Sequence, residues 1–257
     1  MDQSLIDFAH KLADAAGEIS AKYFRQDPGV EWKETGSPIV TEADRKAEEV
    51  MRQMIQAAFP DHGIWGEEYG PHNLDAEYVW VLDPIDGTTP FSVGKPLFAN
   101  LIALCHNKSP VIGIINQPIL NDRWVGVKDK STTHNGSVVT TSSEINLTQA
   151  RISATAPMGV CKRLGADKAY HLRDQVHVIS AGGDAYNTGL VASGHCHASI
   201  ETFTAMHDFL PLIPVIEGAG GVITDWDGQP LAFEPSVRHA VISCNQQIHD
   251  QLLALLK

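Results

Sequence analysis

The sequence predicts a mixed α/β (α+β) protein whose two subdomains meet at one cleft. Two amphipathic helical patterns come first, and a series of apolar strand patterns follows them. From Ala150 onward, short strand patterns alternate with helical ones. Because helices and sheets stack in layers around a shared core, this order predicts an N-terminal subdomain over residues 1–145 and a C-terminal subdomain over residues 146–257.

The N-terminal subdomain opens with two predicted helices. Apolar residues over 5–24 recur at helical spacing. The glycines and prolines within 26–39 predict an extended or hairpin-like loop. Thr41, followed three positions later by Asp44, is typical of a helix N-cap with a weak capping box, and the helix that it starts is predicted to run to about Phe59.

Short apolar stretches bounded by turn residues predict the strands. In the first subdomain they are GIWG, YVWVLDP, two strands within LFANLIALCHNKSPVIGIINQPI, DRWVGVKD, and STTHNGSVV with its Asn-Gly turn. In the second they are RISATAP, VHVISAG, HASIET and GVITDWDG, with helices over 185–192, over 208–217 and in IHDQLLALL.

Composition and charge exclude several classes of function. The 257 residues are 43% hydrophobic and 19% charged, which suits a globular protein with a sizeable core. The net charge of -12 argues against nucleic acid or an anionic membrane surface as the partner. A small anionic substrate held through metal ions is compatible with that charge.

The cysteines and the N-terminus predict a cytoplasmic protein. The four cysteines form no CxxC pair, which favours a reducing compartment and argues against a cysteine zinc site. His195 and His197 flank Cys196, but no third zinc ligand follows nearby. The N-terminus lacks the apolar region of a signal peptide, and no apolar run approaches the roughly 20 residues of a spanning helix.

The stretch VWVLDPIDGTTP places two acids at the end of a buried strand. Proline fixes the backbone between Asp83 and Asp86, so that both carboxylates can converge and the Ile85 carbonyl can turn inward with them. Clustered acids repel one another unless a cation neutralises them, and oxygen ligands suit Mg²⁺. A solvated strand end is the alternative, and we favour that alternative for Glu67-Glu68 taken alone.

Gly87 and Thr88 follow the acids and predict a phosphate site. Glycine allows a close approach of the backbone, and a turn or helix that begins there presents free N–H groups. Metal beside phosphate is the arrangement of phosphoryl chemistry. The sequence contains no GxxxxGK[ST] motif, so hydrolysis of a phosphate ester is favoured over nucleotide-driven transfer.

Three blocks resemble the signatures of the inositol monophosphatase-like family of metal-dependent phosphatases: GEE at 66–68, DPIDGT at 83–88 and HDFLPLIPVIEGAGG at 207–221. The resemblance extends from TEAD at 41–44 to GGVITDWDG. It implies a layered αβαβα sandwich of the inositol monophosphatase/fructose-1,6-bisphosphatase type. It also implies a homodimer with two or three Mg²⁺ ions in each active site.

The resemblance assigns metal ligands. Glu67, Asp83 and the Ile85 carbonyl would bind the first ion. Asp83, Asp86 and Asp208 would bind the second. The residues alone do not single out Asp208, because FLPLIPVIEGAGG reads as an ordinary buried helix with an acid at its start.

The resemblance also assigns catalytic roles. Glu67 and Thr88 would orient the attacking water. Thr41 and Asp44 would lie near a looser third ion. The N–H groups of Gly87 and Thr88 would take phosphate oxygens.

The residues expected to contact the substrate are Asp86, Gly183, Asp184 and Glu201, and the resemblance implies the role of Glu201 by its spacing before Asp208. Typical inositol monophosphatases have a small apolar residue in the place of Asp184, and an added carboxylate is favourable only if it faces a cation. The alternative is that Asp184 caps the following helix. The sequences of and around these motifs are most similar to those of the histidinol-phosphate phosphatase branch, whose substrate carries an amine and an imidazole.

Histidinol phosphate is therefore the favoured substrate. An inositol 1-phosphate, a nucleotide 3′-phosphate and a sugar bisphosphate are the alternatives, and a non-catalytic regulatory protein is a distant one. Two features depart from the branch: Thr89-Pro90 stand where Lys-Ser is frequent, and His207 replaces the usual aromatic residue before Asp208.

Overall fold

A computed structural model describes residues 1–26, 31–32, 39–234, 236 and 238–257. The loop predicted over residues 26–39 lies mostly outside this part of the chain. Strand β1 (Glu31–Trp32), within this stretch, pairs antiparallel with β2 (Ile39–Val40) at its end.

The two predicted N-terminal helices are confirmed. Helix α1 spans Gln3–Tyr23, and its buried positions face one side as the periodicity predicts. Helix α2 spans Glu42–Ala58 and begins with a capping box, in which Thr41 and Asp44 bond each other's backbone N–H. The two helices pack on each other and on one face of the first sheet.

The first sheet is mixed and has the strand order β10-β9-β8-β7-β6-β5-β3-β4. Only the β3–β5 pair is parallel among its pairs of described strands. Its strands are β3 (Gly63–Gly66), β4 (Gly70–His72), β5 (Tyr78–Asp86), β6 (Ala99–His106), β7 (Ser109–Gln117), β8 (Asp122–Val127), β9 (Thr133–His134) and β10 (Ser137–Val138).

Strand β5 is apolar from Val79 to Leu82 because both faces of the sheet are covered. Val79 and Val81 point into the core on the C-terminal side. Trp80 and Leu82 point into the core under α1 and α2. The uninterrupted apolar run before Asp83 is therefore a buried central strand rather than a half-exposed one.

The second sheet has the order β12-β11-β13-β15-β14. Strand β11 is parallel to both of its neighbours, and the other pairs are antiparallel. Its strands are β11 (Arg151–Ala154), β12 (Val178–Ala181), β13 (Ala198–Thr204), β14 (Val222–Asp225) and β15 (Arg238–Ser243).

The remaining helices complete five layers. They are α3 (Thr88–Ser92), α4 (Pro157–Leu164), α5 (Ala166–Gln175), α6 (Asp184–Ala192), α7 (Met206–Phe209), α8 (Leu212–Gly218) and α9 (Gln246–Leu256), with a 3-10 turn at Leu147–Gln149. Helices α6, α7 and α8 contact strands of both sheets, while α4 and α9 pack on the second sheet and α5 on α9. The αβαβα prediction is confirmed.

The structure differs from the sequence prediction in several elements. The single helix expected over 208–217 is two helices, α7 and α8, which meet at Leu210 and Pro211. Helices α4 and α5 and strands β4 and β15 were not predicted. Helix α5 buries only Ala169 and Leu172, so its apolar periodicity is weak.

The first sheet ends at Val138 and the second begins at Arg151. The division into subdomains at residue 145 stays a prediction. Within the described part of the chain, no helix has the length and apolar character needed to cross a lipid bilayer.

Candidate active site

The end of β5 brings two acids to the same side of the sheet. Residues three apart on a regular strand face opposite sides. Here the pairing with β6 shifts, since Asp83 lies opposite Leu101 and Asp86 lies opposite Ala99. Three steps on β5 thus match two on β6, as in a β-bulge, and the bulge places both carboxylates together.

The bulge contains Pro84, which has no N–H to lose from the ladder. The Pro84 carbonyl accepts a hydrogen bond of 2.6 Å from the buried Asn100 amide. The irregular backbone at the site is therefore held by a side chain from the neighbouring strand.

Carboxylates from distant parts of the chain meet at this bulge. One ligand atom from each of Asp83, Asp86 and Asp208 lies within 4.8 Å of the others. Glu67, Asp83 and His207 form a second such group. Asp208 lies in the first turn of α7, where its Oδ2 accepts from the Ala205 N–H at 2.6 Å.

The residues fit a hard divalent cation. Within the described part of the chain, the buried Asp83 Oδ1 has no hydrogen-bond partner, although an unpaired buried carboxylate oxygen is costly. Desolvation, and then the neighbouring Glu67, raises the pKa of Asp83 well above its usual range. Desolvation and then Asp184 do the same to the pKa of Asp86. A cation bound among these oxygens removes both penalties, and a set of oxygen ligands suits Mg²⁺.

The N-terminus of α2 lies beside this group. Asp44 Oδ2 accepts from the Thr41 N–H at 2.8 Å and from the Thr41 hydroxyl. Burial raises the pKa of Asp44 to about 6, against the lowering effect of the Thr41 hydrogen bonds. The Thr88 hydroxyl lies 3.3 Å from Asp44 Oδ1 and 3.1 Å from the Ile85 carbonyl oxygen. Its single proton can be donated to either acceptor, which leaves the oxygen lone pairs to accept a hydrogen bond from water.

Gly87 and Gly183 shape the backbone around the acids. Gly87 has φ 86° and precedes α3, and Gly183 has φ 118° and precedes α6. A Cβ on Gly87 would lie 3.1 Å from Asp184 Oδ2, so the turn and the Asp184 carboxylate approach closely. Both glycines adopt conformations that residues with a Cβ rarely take.

Asp184 is half-buried among the other acids. Desolvation, followed by the charge of Asp208, raises its pKa to about 7. The N-cap residue of α6 is Gly183, which has no side chain to accept a hydrogen bond from the first turn. The Ala185 N–H in that turn donates to Asp86 Oδ2 at 2.6 Å. The carboxylate that satisfies the first turn of α6 is thus Asp86, and this leaves Asp184 free of the capping role.

Glu201 lies on β13 and is buried. Its Oε1 accepts from the Ser199 hydroxyl at 2.5 Å. Desolvation raises the pKa of Glu201 to about 8, with smaller raising effects from Asp184 and Asp208. Glu201 therefore belongs to the same electrostatic group as the metal-side acids.

The predicted acids lie together in the structure, and they differ in how far they are exposed to solvent. Asp44, Asp83 and Glu201 are buried. Glu67, Asp86, Asp184 and Asp208 keep part of their surface accessible. The accessible members are those that a substrate or hydrated ion can reach.

The sequence marks His207 only as a departure from the family pattern, and its contacts with the acids were not predicted. We expected it to replace an aromatic side chain, yet it lies with Glu67 and Asp83. The Trp65 indole N–H donates to its Nδ1 at 3.3 Å, and its Nε2 lies 3.5 Å from Asp208 Oδ1. Because an indole N–H only donates, the neutral ring carries its proton on Nε2. His207 thus presents an N–H toward the acids rather than a nitrogen ligand.

The metal-free protein is expected to lose stability as pH rises above 7. Asp184 and Glu201 have folded-state pKa values of about 7 and about 8, above those of an unfolded chain. The folded state then binds more protons than the unfolded state, so the free energy of unfolding falls until both groups are ionised. In EDTA, the melting temperature should fall by about 5 °C or more between about pH 7 and pH 9.

Added Mg²⁺ should reduce this fall, because the ion neutralises the ionised acids. Burial also raises the pKa values of the Cys105 and Cys244 thiols, to about 12 and about 11, and their contribution to the fall near pH 9 does not depend on Mg²⁺. The range above pH 7 avoids the opposite contribution of buried histidines such as His249, whose pKa is lowered by burial. A melting temperature in EDTA that stays level or rises over this range would contradict the repulsion among these acids.

Comparison with known proteins identifies one family across the chain. The model of the inositol monophosphatase family matches residues 1–257. The chain is similar to the bifunctional phosphatase IMPL2, chloroplastic, of Arabidopsis thaliana, with 44% identity over 255 residues that cover 96% of this chain and 73% of the relative. It is also similar to a histidinol-phosphatase of Chlorobaculum parvum, with 32% identity over 252 residues that cover 98% and 96%.

A solved structure gives the same family. An inositol monophosphatase from Zymomonas mobilis superposes with a TM-score of 0.87 and 39% sequence identity. The match covers 99% of this chain and 98% of that one. The relatives' names agree on phosphatase chemistry and differ in substrate.

Proposed function

This chain belongs to the inositol monophosphatase family, a family of phosphoric monoester hydrolases, and from that premise we propose that it is a Mg²⁺-dependent phosphatase whose favoured substrate is histidinol phosphate. The convergence of Asp83, Asp86 and Asp208, with ligand atoms within 4.8 Å, carries the metal-dependent part. The additional carboxylate of Asp184 carries the choice of substrate.

Asp83 is the central metal ligand of the proposal, because it belongs both to the group with Glu67 and to the group with Asp86 and Asp208. Glu67, Asp83 and the Ile85 carbonyl would hold one ion, and Asp83, Asp86 and Asp208 a second. When bound, Mg²⁺ supplies positive charge that favours deprotonation of water and neutralises the phosphate.

Thr88 and Glu67 orient the attacking water in this proposal. The Thr88 hydroxyl can pass its proton toward the buried Asp44, which lies 3.3 Å away. Thr41 supports that acid through two donors, and this keeps Asp44 Oδ1 directed at Thr88. The chain Thr88–Asp44–Thr41 thus holds a proton acceptor next to the water.

The phosphate and the leaving group are bound at the start of α3 and at the bulge. The N–H groups of Gly87 and Thr88 would receive phosphate oxygens. Asp86 and Asp208 would position the leaving oxygen of the alcohol. Gly183 brings the backbone before α6 close to the same region, where Asp184 and Glu201 would contact the alcohol.

The balance of charge favours a cationic alcohol. Two Mg²⁺ ions carry four positive charges, and a phosphate monoester returns about two negative ones. The four acids that would bind the ions, Glu67, Asp83, Asp86 and Asp208, already balance the charge of the metal, so an ionised Asp184 adds to a negative excess. An ammonium or imidazolium beside Asp184 offsets the excess, and inositol has no such group.

The names of relatives support histidinol phosphate and leave a second candidate. The Chlorobaculum relative is named a histidinol-phosphatase. The Zymomonas structure, at 39% identity, is named an inositol monophosphatase. Inositol 1-phosphate is therefore the second candidate, and a cytoplasmic location and a homodimer remain predictions.

A panel of phosphate esters tests the proposal. We expect phosphate release that requires Mg²⁺ and stops in EDTA. We expect kcat/KM for histidinol phosphate to exceed that for inositol 1-phosphate, a nucleotide 3′-phosphate and fructose 1,6-bisphosphate by at least about tenfold. A clearly higher kcat/KM for inositol 1-phosphate would overturn the substrate assignment, and no hydrolysis of any ester would overturn the function.

A further inference from the structure

The loop that carries Glu67 is fastened to helix α2 by a buried carboxylate. Glu48 lies in α2 one turn after Asp44 and has no exposed surface. We infer that Glu48 is a positioning residue that holds Glu67 in place for metal binding. The inference rests on the proposed function, because it assigns Glu67 to a metal ion.

Glu48 accepts the backbone N–H groups that follow Glu67. Its Oε2 accepts from the Glu68 N–H at 2.7 Å, and its Oε1 accepts from the Tyr69 N–H at 3.1 Å. An ionised carboxylate that accepts backbone N–H groups forms bonds stronger than neutral ones. The two residues after Glu67 are thus tied to α2.

Gly66, the residue before Glu67, has no side chain, and this leaves space for the Glu48 carboxylate. A Cβ on Gly66 would lie 1.9 Å from Glu48 Oε1. Any other residue at this position would displace the Glu48 side chain. The Glu67 N–H itself donates to the Leu82 carbonyl at 3.2 Å, one residue before Asp83. The backbone of Glu67 is thereby fixed from both sides.

Arg52 balances the charge of Glu48 and reaches the far end of the same loop. Its Nε donates to Glu48 Oε1 at 2.7 Å, and its guanidinium also donates to the Gly70 carbonyl. Both side chains are largely or fully buried. Loss of one partner would leave an uncompensated charge, so Glu48 and Arg52 act as a unit.

The position of this ion pair, beside the loop that carries Glu67, points to a role besides stability. A buried ion pair contributes little net stability compared with apolar packing, so its presence at this loop calls for another role. Groups that orient metal ligands typically change metal affinity by 10- to 100-fold when mutated. Glu48 contacts no substrate or metal in this proposal, and its effect passes through the position of Glu67.

Metal titration of Glu48→Gln tests the inference. The substitution keeps the side-chain volume, but the amide can accept through one atom only. We expect the dissociation constant for Mg²⁺, measured by calorimetry on the full-length folded protein, to rise about tenfold or more. We also expect activity to recover as Mg²⁺ is raised, because the catalytic groups are intact.

Glu49→Gln is the matched control, since Glu49 is the exposed neighbour on the same helix. It should bind Mg²⁺ as the wild type does. Gly66→Ala gives an independent measurement, and replaces Glu48→Gln if that variant does not fold. Its methyl group displaces the Glu48 carboxylate, so we expect a similar loss of Mg²⁺ affinity.

The outcomes separate this inference from the proposed function. Wild-type Mg²⁺ affinity in folded Glu48→Gln, or in folded Gly66→Ala if Glu48→Gln does not fold, would overturn the positioning role alone. A lower melting temperature with unchanged Mg²⁺ affinity would assign Glu48 to stability only. Absence of Mg²⁺ binding by the wild type would overturn the proposed function, and the inference with it.

Discussion

Asp83→Asn is expected to lower kcat by about a thousandfold or more while the fold survives. Among the residues that the structure describes, Asp83 is the one acid that belongs to both candidate metal groups, and no hydrogen-bond donor contacts its Oδ1. The amide keeps the volume of the side chain and removes the charge that both ions need. Phosphate release at saturating Mg²⁺ and substrate measures the loss.

The stability of Asp83→Asn gives the internal check. Because the substitution removes one of several repelling acids, the metal-free variant should melt at or above the temperature of the metal-free wild type. Asp75→Asn, at an exposed position, should leave both activity and melting unchanged. Activity of Asp83→Asn within a few-fold of the wild type would exclude this site.

Asp184→Asn is expected to change substrate choice. Removing one partner of a buried charge pair costs about 2–5 kcal/mol, so kcat/KM for histidinol phosphate should fall by about 30-fold or more. The fall for inositol 1-phosphate should be at least about tenfold smaller, because inositol has no cation to pair with the carboxylate. The ratio of the two kcat/KM values is the quantity to measure.

Asp167→Asn, an exposed acid in the first turn of α5, controls for a general loss of negative charge. The ratio for this variant should equal that of the wild type. An equal loss for both substrates in Asp184→Asn would assign Asp184 to catalysis or metal binding in general, and would remove the main support for a cationic alcohol.

The centre of the site was predictable because it lies within one strand and the turn after it. The apolar run up to Leu82 predicts a buried strand, and Asp83, Pro84 and Asp86 mark its irregular end. The sequence pattern does not predict the β-bulge in the pairing with β6. This bulge brings Asp83 and Asp86, which are three residues apart, to the same side of the sheet. The bulge depends on a neighbouring strand.

Site residues that are distant in sequence from Asp83 could not be predicted from the pattern around them. Asp208 looks like an ordinary acid at a helix start, and only resemblance to a family assigned it a role. Glu48 and His207 were not predicted, since Glu48 contacts a loop 20 residues away and His207 bonds to Trp65 across 142 residues. Residue type and spacing carry no information on such contacts.

Anomalous diffraction from crystals grown with Mn²⁺ tests most directly whether these separated carboxylates form one metal site. We predict anomalous peaks within about 2.5 Å of carboxylate oxygens of Asp83, with Glu67 on one side and Asp86 and Asp208 on the other. Well-ordered acids with no peak among them, or peaks only at other surfaces of the protein, would contradict the metal-dependent function.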